Sequence, residues 1–292
     1  MRAGHSFTRF SREEVIQFNG RGVNSTIGDL RGPADAYTGS RIMSLSTDYG
    51  ARPTLRRASD PVRADACDLL AGLAPEHLGD LKLRVERHNA GTELLNPREP
   101  SRNVHILMEG WACRHRTLGD GDRQITAFMF PGDTASCWTP IESPFDHGVR
   151  TLTSCRVMVA NRERLADLAR RHPVVATRLR RALRTDVSIL NDWLVNVGRR
   201  KAPERIAHLL CELNFRLGIA HPSIHSGNRV IPLTQQDIAD ALGMTSVHVN
   251  RVVQKLRANQ LLEIRKGSLI LRDPQGLARL CDFDSAYLGL LS

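Results

Sequence analysis

The stretch that decides the fold lies near the C-terminus: LTQQDIADALGMTSVHVNRVVQKLRANQLLEIRKGSLILRD, residues Leu233 to Asp273. Thr234 stands where a helix N-cap is wanted, and Asp237, three residues on, closes back on it as a short relative of the capping box. Ile238, Ala239 and Leu242 give the first helix an apolar face at helical spacing. Gly243 ends it, supplying a positive φ at little steric cost. Thr245 or Ser246 caps a second helix, whose Val249, Val252, Val253 and Leu256 line one side. At 3.6 residues per turn, Val247, Asn250, Arg251 and Gln254 share the opposite face, with Ser246 and Lys255 at its edges. Small Ala239 permits a close helix crossing. Together these features predict a helix-turn-helix, the geometry that delivers a second helix to the major groove. Leu261 to Ile264 and Ser268 to Leu271, joined by Arg265-Lys266-Gly267, predict a β-hairpin wing with Lys266 at its tip, placed to meet a phosphate.

The whole chain has 292 residues, enough for two domains, with 41% hydrophobic content to fill their cores. A net charge of +10 and a pI near 9.9 favour a polyanionic partner. The excess is uneven. Asn161 to Lys201 holds eleven Arg and Lys against four Asp and Glu, whereas Thr234 to Asp273 holds six against four. Six cysteines (67, 113, 137, 155, 211 and 281) are scattered without a CxxC, which argues against structural zinc or a disulfide framework and for reduced thiols in the cytoplasm. No membrane-spanning run and no signal-peptide core is expected.

Residues 1–59 are rich in Gly, Ser, Thr and Arg with little periodicity and read as a disordered extension, with a short helix near Arg12 to Phe18 and Met43 as an alternative start. Asp60-Pro61 signals a helix through Cys67, Leu69 and Leu70, and Ala74 to Leu81 a second. From Lys82 onward short strands alternate with turn residues: LKLRVERHNAG, NVHILMEG, WACRHRTLG, RQITAFMF, VRTLTS and CRVMVA. Such spacing predicts an antiparallel roll, over 60–172. Asn161 caps a helix to Arg171, and Pro173 opens a long helix over 173–199. Along it Ala176, Leu179, Leu183, Val187, Leu190, Leu194 and Val197 step by three or four, close to a coiled-coil seam. Leu179, Leu183, Val187, Leu190, Leu194 and Val197 are the expected dimer contacts; packing on the chain's own roll is the alternative. Residues 200–292 then form the helix-turn-helix domain, with Glu204 to Leu217 as its floor, a polar loop from His221 to Gly227 and a short strand from Arg229 to Pro232. The fold class is therefore α+β: a jelly-roll-like β-roll, a long dimerisation helix and a winged helix-turn-helix.

This order, with ERIAHLLCEL, LTQQDIADALGMTSVHVNRVVQKLR and LLEIRKGSLIL, resembles the Crp/Fnr superfamily of bacterial transcription regulators over about residues 60–283. VHILMEGWACRHR followed by RQITAFMFPGD is similar to the family's sensor roll, and GRRKAPERIAHLLCEL to its interdomain segment. The resemblance implies a homodimer on an inverted repeat in double-stranded DNA, with RNA polymerase as a further partner and no membrane. Arg251 matches the arginine that reads a guanine. Val247 stands where many members have a glutamate that accepts from a base, which puts the usual half-site in doubt and leaves a thymine methyl as its contact. Ser246 and Asn250 complete the base-reading set. Thr234, Gln235, Gln236, Thr245 and His248 match positions that meet the phosphate backbone. His248 reads equally as a solvated helix residue.

In the roll the resemblance fails at the effector site. Cyclic-AMP-binding members follow Pro-Gly-Asp with a glycine-glutamate pair and then an arginine-serine or arginine-threonine step; PGDTASCWTPIESPFDHGVRTLTS has neither, and Arg150 falls in a strand-like run. A cyclic phosphate without its arginine is costly to bury, so cyclic AMP is not expected. The four-cysteine iron–sulfur set is also missing, since only Cys67 lies near the N-terminus. Among His88, His105, His115 and Cys113 nothing selects a haem ligand. Cys211 reads as core, and His221 and His225 are discounted as metal ligands. The cofactor expectation is none, with the effector unidentified. No GxSxG, Walker loop, HExxH or dinucleotide fingerprint occurs, so an enzyme is not expected. The alternative function is a ligand-binding regulatory protein whose winged helix serves protein contacts.

Overall fold

The computed structural model describes residues 69–135, 145–220, 230–265 and 268–291. The expected disordered extension, the helix near Arg12 and most of the one opened by Pro61 lie outside them, as do Lys266 and the His221–Gly227 loop. Where the helix opened by Pro61 was expected to continue, Leu69 and Leu70 form a turn, buried in the core. The first described helix, α1 (Pro75–Asp80), is short. Lys82 adopts a left-handed φ of 47° as its backbone N–H closes onto Gly79, so the strand expected from here begins only at Arg84.

Two antiparallel sheets form the roll. One holds β1 (Arg84–His88), β7 (Cys155–Asn161) and β3 (Asn103–Glu109) in that spatial order. The other holds β2 (Glu93–Leu95), β6 (Gly148–Thr151), β4 (Ala112–Thr117) and β5 (Arg123–Met129). Alternation sorts the side chains by face. Leu95, Leu107, Ala112, Met129, Phe145, Val149 and Val157 fill the space between the sheets. Ile106 and Met158 point the other way, onto Leu165 and Leu168 of α2 (Arg162–Arg171) and Val175 and Leu179 of α3 (Pro173–Arg199). Gly110 joins β3 to β4 where only glycine fits: its φ is +89°, and a Cβ there would lie 2.4 Å from the Ser154 carbonyl oxygen.

α3 links the two halves because its inward face changes partners along its length. Val175 and Leu179 pack on the roll, while Ile189 and Trp193 join a core with β4 and β5 residues Cys113, Ile125 and Phe128 on one side and α4 (Ala202–Ala220) on the other. Ile206, Leu209, Leu210 and Leu213 form the buried stripe of α4, as their spacing predicts. The chain continues through β8 (Val230–Ile231), α5 (Gln235–Leu242), α6 (Ser246–Ala258), β9 (Leu262–Arg265), β10 (Ser268–Leu271) and α7 (Pro274–Cys281), ending in a 3-10 helix, Ser285–Leu291. The small sheet runs β8-β10-β9, with Ser268 opposite Arg265. Arg265, expected in the wing turn, therefore belongs to β9.

Candidate nucleic-acid interface

The helix pair is fixed at each point where a free helix would fray. Thr234 Oγ1 accepts from the Asp237 N–H at 3.1 Å, and Asp237 Oδ2 accepts from the Thr234 N–H at 3.0 Å, completing the capping box. Gly243 sits at φ 61°, ψ 45°, and its N–H returns to the Ala239 carbonyl. Thr245, rather than Ser246, caps α6 by accepting from the His248 N–H at 3.2 Å. Val249, Val252, Val253 and Leu256 are buried beneath α6. These restraints orient the other face. Val247 is 69% exposed, an unusual position for a β-branched apolar side chain, and Asn250, Arg251 and Gln254 are exposed beside it. Ser246 is half-buried at the edge.

The two helices meet on this face. Gln235 Nε2, from the start of α5, donates to Asn250 Oδ1 at 3.2 Å, so a backbone candidate and a base-reading candidate hold each other. Asn250 thus keeps its amide N–H groups for an outside acceptor. Arg251 makes no ion pair among the described residues, leaving its guanidinium fork available. Thr234, Gln236, Thr245 and His248 are exposed along the same rim. Lys266, the expected wing-tip contact, lies outside the described residues. Its neighbour Arg265 is held by Glu263 at 2.6 Å.

The seam on α3 divides. Val187 is 56% exposed, Leu190 46% and Leu194 71%, forming an apolar strip with half-buried Leu183. Leu179, expected in the same strip, is only 3% exposed because the roll's core takes it, and Val197 is half-buried against the core around α4. Both leave the proposed contact set: a side chain already packed on its own domain has little surface left for a partner.

The space between the two sheets of the roll is apolar, occupied by Leu95, Leu107, Met129, Phe145 and Val149. Arg150 lies in β6 with Glu93 3.6 Å away, and Glu93 also holds His115 at 3.1 Å, so the nearby cation is already matched. Burial pushes the Cys113 thiol up to about 12, giving an inert core cysteine. His105 is buried, and burial holds its imidazole below the usual range. Cys211 is buried in the shared core. Among the described residues no three His, Cys, Asp or Glu side chains converge to hold a metal ion.

Comparison with known proteins agrees with this geometry. Residues 204–280 match the Crp-like helix-turn-helix domain family, and residues 85–172 match the cyclic nucleotide-binding domain family. The nitrogen fixation regulation protein FixK of Azorhizobium caulinodans is 29% identical over 190 residues, 65% of this chain and 75% of that protein. FixK of Rhizobium meliloti is 27% identical over 215 residues, 71% and 93% of the two chains. Among solved structures, FixK2 from Bradyrhizobium japonicum superposes with a TM-score of 0.61 at 26% identity, covering 68% of this chain and 96% of that one. The chain belongs to the Crp/Fnr superfamily of transcription regulators.

Three features of this Crp/Fnr chain escape the sequence reading. α7 and the 3-10 helix after it pack onto α4 and α3, although Asp273-Pro274 carries the same cap-then-proline signal as Asp60-Pro61. Glu212 is fully buried, accepting from Trp193 Nε1 at 2.8 Å and from the Tyr287 hydroxyl at 3.0 Å. Arg123, in β5, reaches the first helix of the helix-turn-helix, a contact across more than a hundred residues that no local pattern announces.

Proposed function

We propose that this DNA-binding transcription regulator acts as a homodimer, paired along α3, and reads an inverted repeat through Ser246, Val247, Asn250 and Arg251 of each α6. The observation that carries the reading is the solvent-facing side of α6: a guanidinium with no ion pair among the described residues beside an exposed valine, on a helix capped by Thr245 and backed by a valine core. A guanidinium fork matches guanine O6 and N7, whereas a valine offers only an apolar contact, suited to a thymine methyl. Thr234, Gln235, Gln236, Thr245, His248 and Lys266 supply phosphate contacts that set the register. Two recognition helices in a symmetric pair meet successive major grooves about 34 Å apart. RNA polymerase is the partner such a regulator positions or obstructs, and the cytoplasm is where it works. The named relatives FixK, described as nitrogen fixation regulation proteins, support a regulatory role. No helix among the described residues is long and apolar enough to cross a membrane.

The packed interior of the roll and the Glu93–Arg150 pairing support an effector other than cyclic AMP, or none. An iron–sulfur cluster is not part of the reading. The test is selection of bound fragments from genomic DNA, followed by titration of the enriched duplex with Arg251→Ala. Loss of one bidentate base contact should weaken binding by about 1–3 kcal/mol and relax preference at one position per half-site. Equal affinity of the variant and the wild type, at matched salt, would favour a protein-contact role for the winged helix.

A further inference from the structure

The first helix of the helix-turn-helix is held from the roll side by two neighbouring residues of β5, Arg123 and Gln124. Arg123 Nη2 donates to Asp237 Oδ1 at 2.9 Å, and its Nε donates to Asp240 Oδ2 at 2.7 Å. Asp237 and Asp240 lie three residues apart, on one face of α5, so a planar guanidinium spans both. All three side chains are largely buried, where such bonds are less screened than on an open surface. The neighbouring Gln124 donates from Nε2 to the Ala241 carbonyl at 3.1 Å, capping a backbone group near the end of the same helix.

The carboxylate that Arg123 holds has a second task. Asp237 Oδ2 accepts from the Thr234 N–H at 3.0 Å and the Thr234 hydroxyl at 2.7 Å, closing the capping box. One carboxylate thus joins the roll on one oxygen to the N-terminus of α5 on the other. That N-terminus carries Thr234, Gln235 and Gln236, and Gln235 in turn holds Asn250 of α6. Val247 and Arg251, on the same exposed face of α6 as Asn250, take no part in these contacts among the described residues. Arg123 also opens β5, directly after the Gly119–Asp122 turn, so any displacement of that hairpin carries α5 with it.

We propose that Arg123 is a positioning residue for DNA reading: it fixes the orientation of the helix-turn-helix against the roll, and hence the separation of the two recognition helices in the pair. The inference rests on the homodimeric inverted-repeat reading above. A helix-turn-helix without this grip still matches one half-site, but must give up orientational freedom to match two at fixed spacing.

The experiment uses the full chain and duplexes carrying the selected inverted repeat, the same repeat lengthened or shortened by one base pair, or a single half-site. With Arg123→Gln, affinity for the inverted repeat falls by about tenfold, the scale of a lost charge-assisted contact. Discrimination against altered spacing narrows, while half-site affinity and its salt dependence stay as in the wild type. Arg123→Lys keeps the charge but not the fork, and recovers part of the loss. Unfolding midpoints of both variants show whether the fold is intact. Wild-type affinity and spacing preference in Arg123→Gln overturn the proposal. So does a proportional loss on the half-site, which would mark a direct DNA contact or a damaged fold, and so does tighter binding, which would mark a restraint. A wild-type protein that ignores every inverted repeat is a different result, and fails the functional reading itself.

Discussion

Replacing Leu194 with glutamate tests the pairing of two chains without disturbing either one. Leu194 is 71% exposed at the C-terminal part of α3, so in the single chain it contributes little to the core. Full burial of a leucine contributes about 1.5–3 kcal/mol. The exposed part of Leu194 therefore has about 1–2 kcal/mol to gain at a partner surface, and about 2–4 kcal/mol counted from both protomers. A glutamate forfeits that gain and adds two carboxylates that lose water on association. The dimer dissociation constant should rise by about thirtyfold to a thousandfold, before any charge penalty. Sedimentation equilibrium over a wide concentration range measures the constant, and far-UV circular dichroism checks that α3 remains helical. Operator affinity should fall in parallel, because a monomer offers one recognition helix. The reasoning is refuted if Leu194→Glu dimerises as tightly as the wild type. It is also refuted if the wild type stays monomeric throughout.

Two further outcomes follow from the described geometry. Gly243→Ala meets open space, since no atom lies within 4 Å of the added Cβ, so only the left-handed backbone at φ 61° resists it; thermal unfolding should show a loss of about 1–2 kcal/mol, with Gly243→Asn costing less. His105 titrates below the usual imidazole range because of burial, with Glu86 opposing and His88 and Arg84 adding to the shift. The folded state therefore resists a proton that the unfolded chain accepts near pH 6.5, and this contribution to stability is present above that pH and lost as the pH falls below it. His105→Gln should flatten the decline in unfolding free energy as the pH falls below about 6.5 relative to the wild type, and parallel curves would count against the assignment.

What the sequence makes legible here is what local physics controls. The capping box at Thr234, the reversal at Gly243 and the valine stripe of α6 each depend on residues within a few positions of one another, and each stands where expected. The long helix is similarly plain, because Pro173 opens it and apolar steps run from Ala176 to Val197 of its twenty-seven residues. The same steps mislead about partners. Leu179 and Leu194 lie on one nominal seam, yet the first is buried by the roll and the second is bare. Helical spacing identifies an apolar face but not what covers it, and at the N-terminal end of α3 the roll takes that face. β2 goes unread for a different reason: three residues carry too little alternation to separate a strand from a loop.

The contacts between the two halves are the part no periodicity reveals. Phe128 of β5 lies 5.9 Å from the Trp193 ring of α3, and Arg216 of α4 stacks over Phe130 while reaching Asp133 at 2.7 Å and the Phe128 carbonyl at 3.0 Å. Trp193 then passes to Glu212, and Glu212 to Tyr287 in the C-terminal segment. Apolar packing alone would leave these elements free to slide, since it is nearly indifferent to small rotations. Directional bonds to Glu212, Asp133 and Asp237 remove that freedom, because each buried acid tolerates only a narrow set of donor positions. On the proposed homodimeric reading, in which two recognition helices must meet DNA at a set angle, this kind of restraint is needed. It accounts for Glu212 and Asp237, the buried acids among the described residues, lying at the junction of roll, α3 and helix-turn-helix.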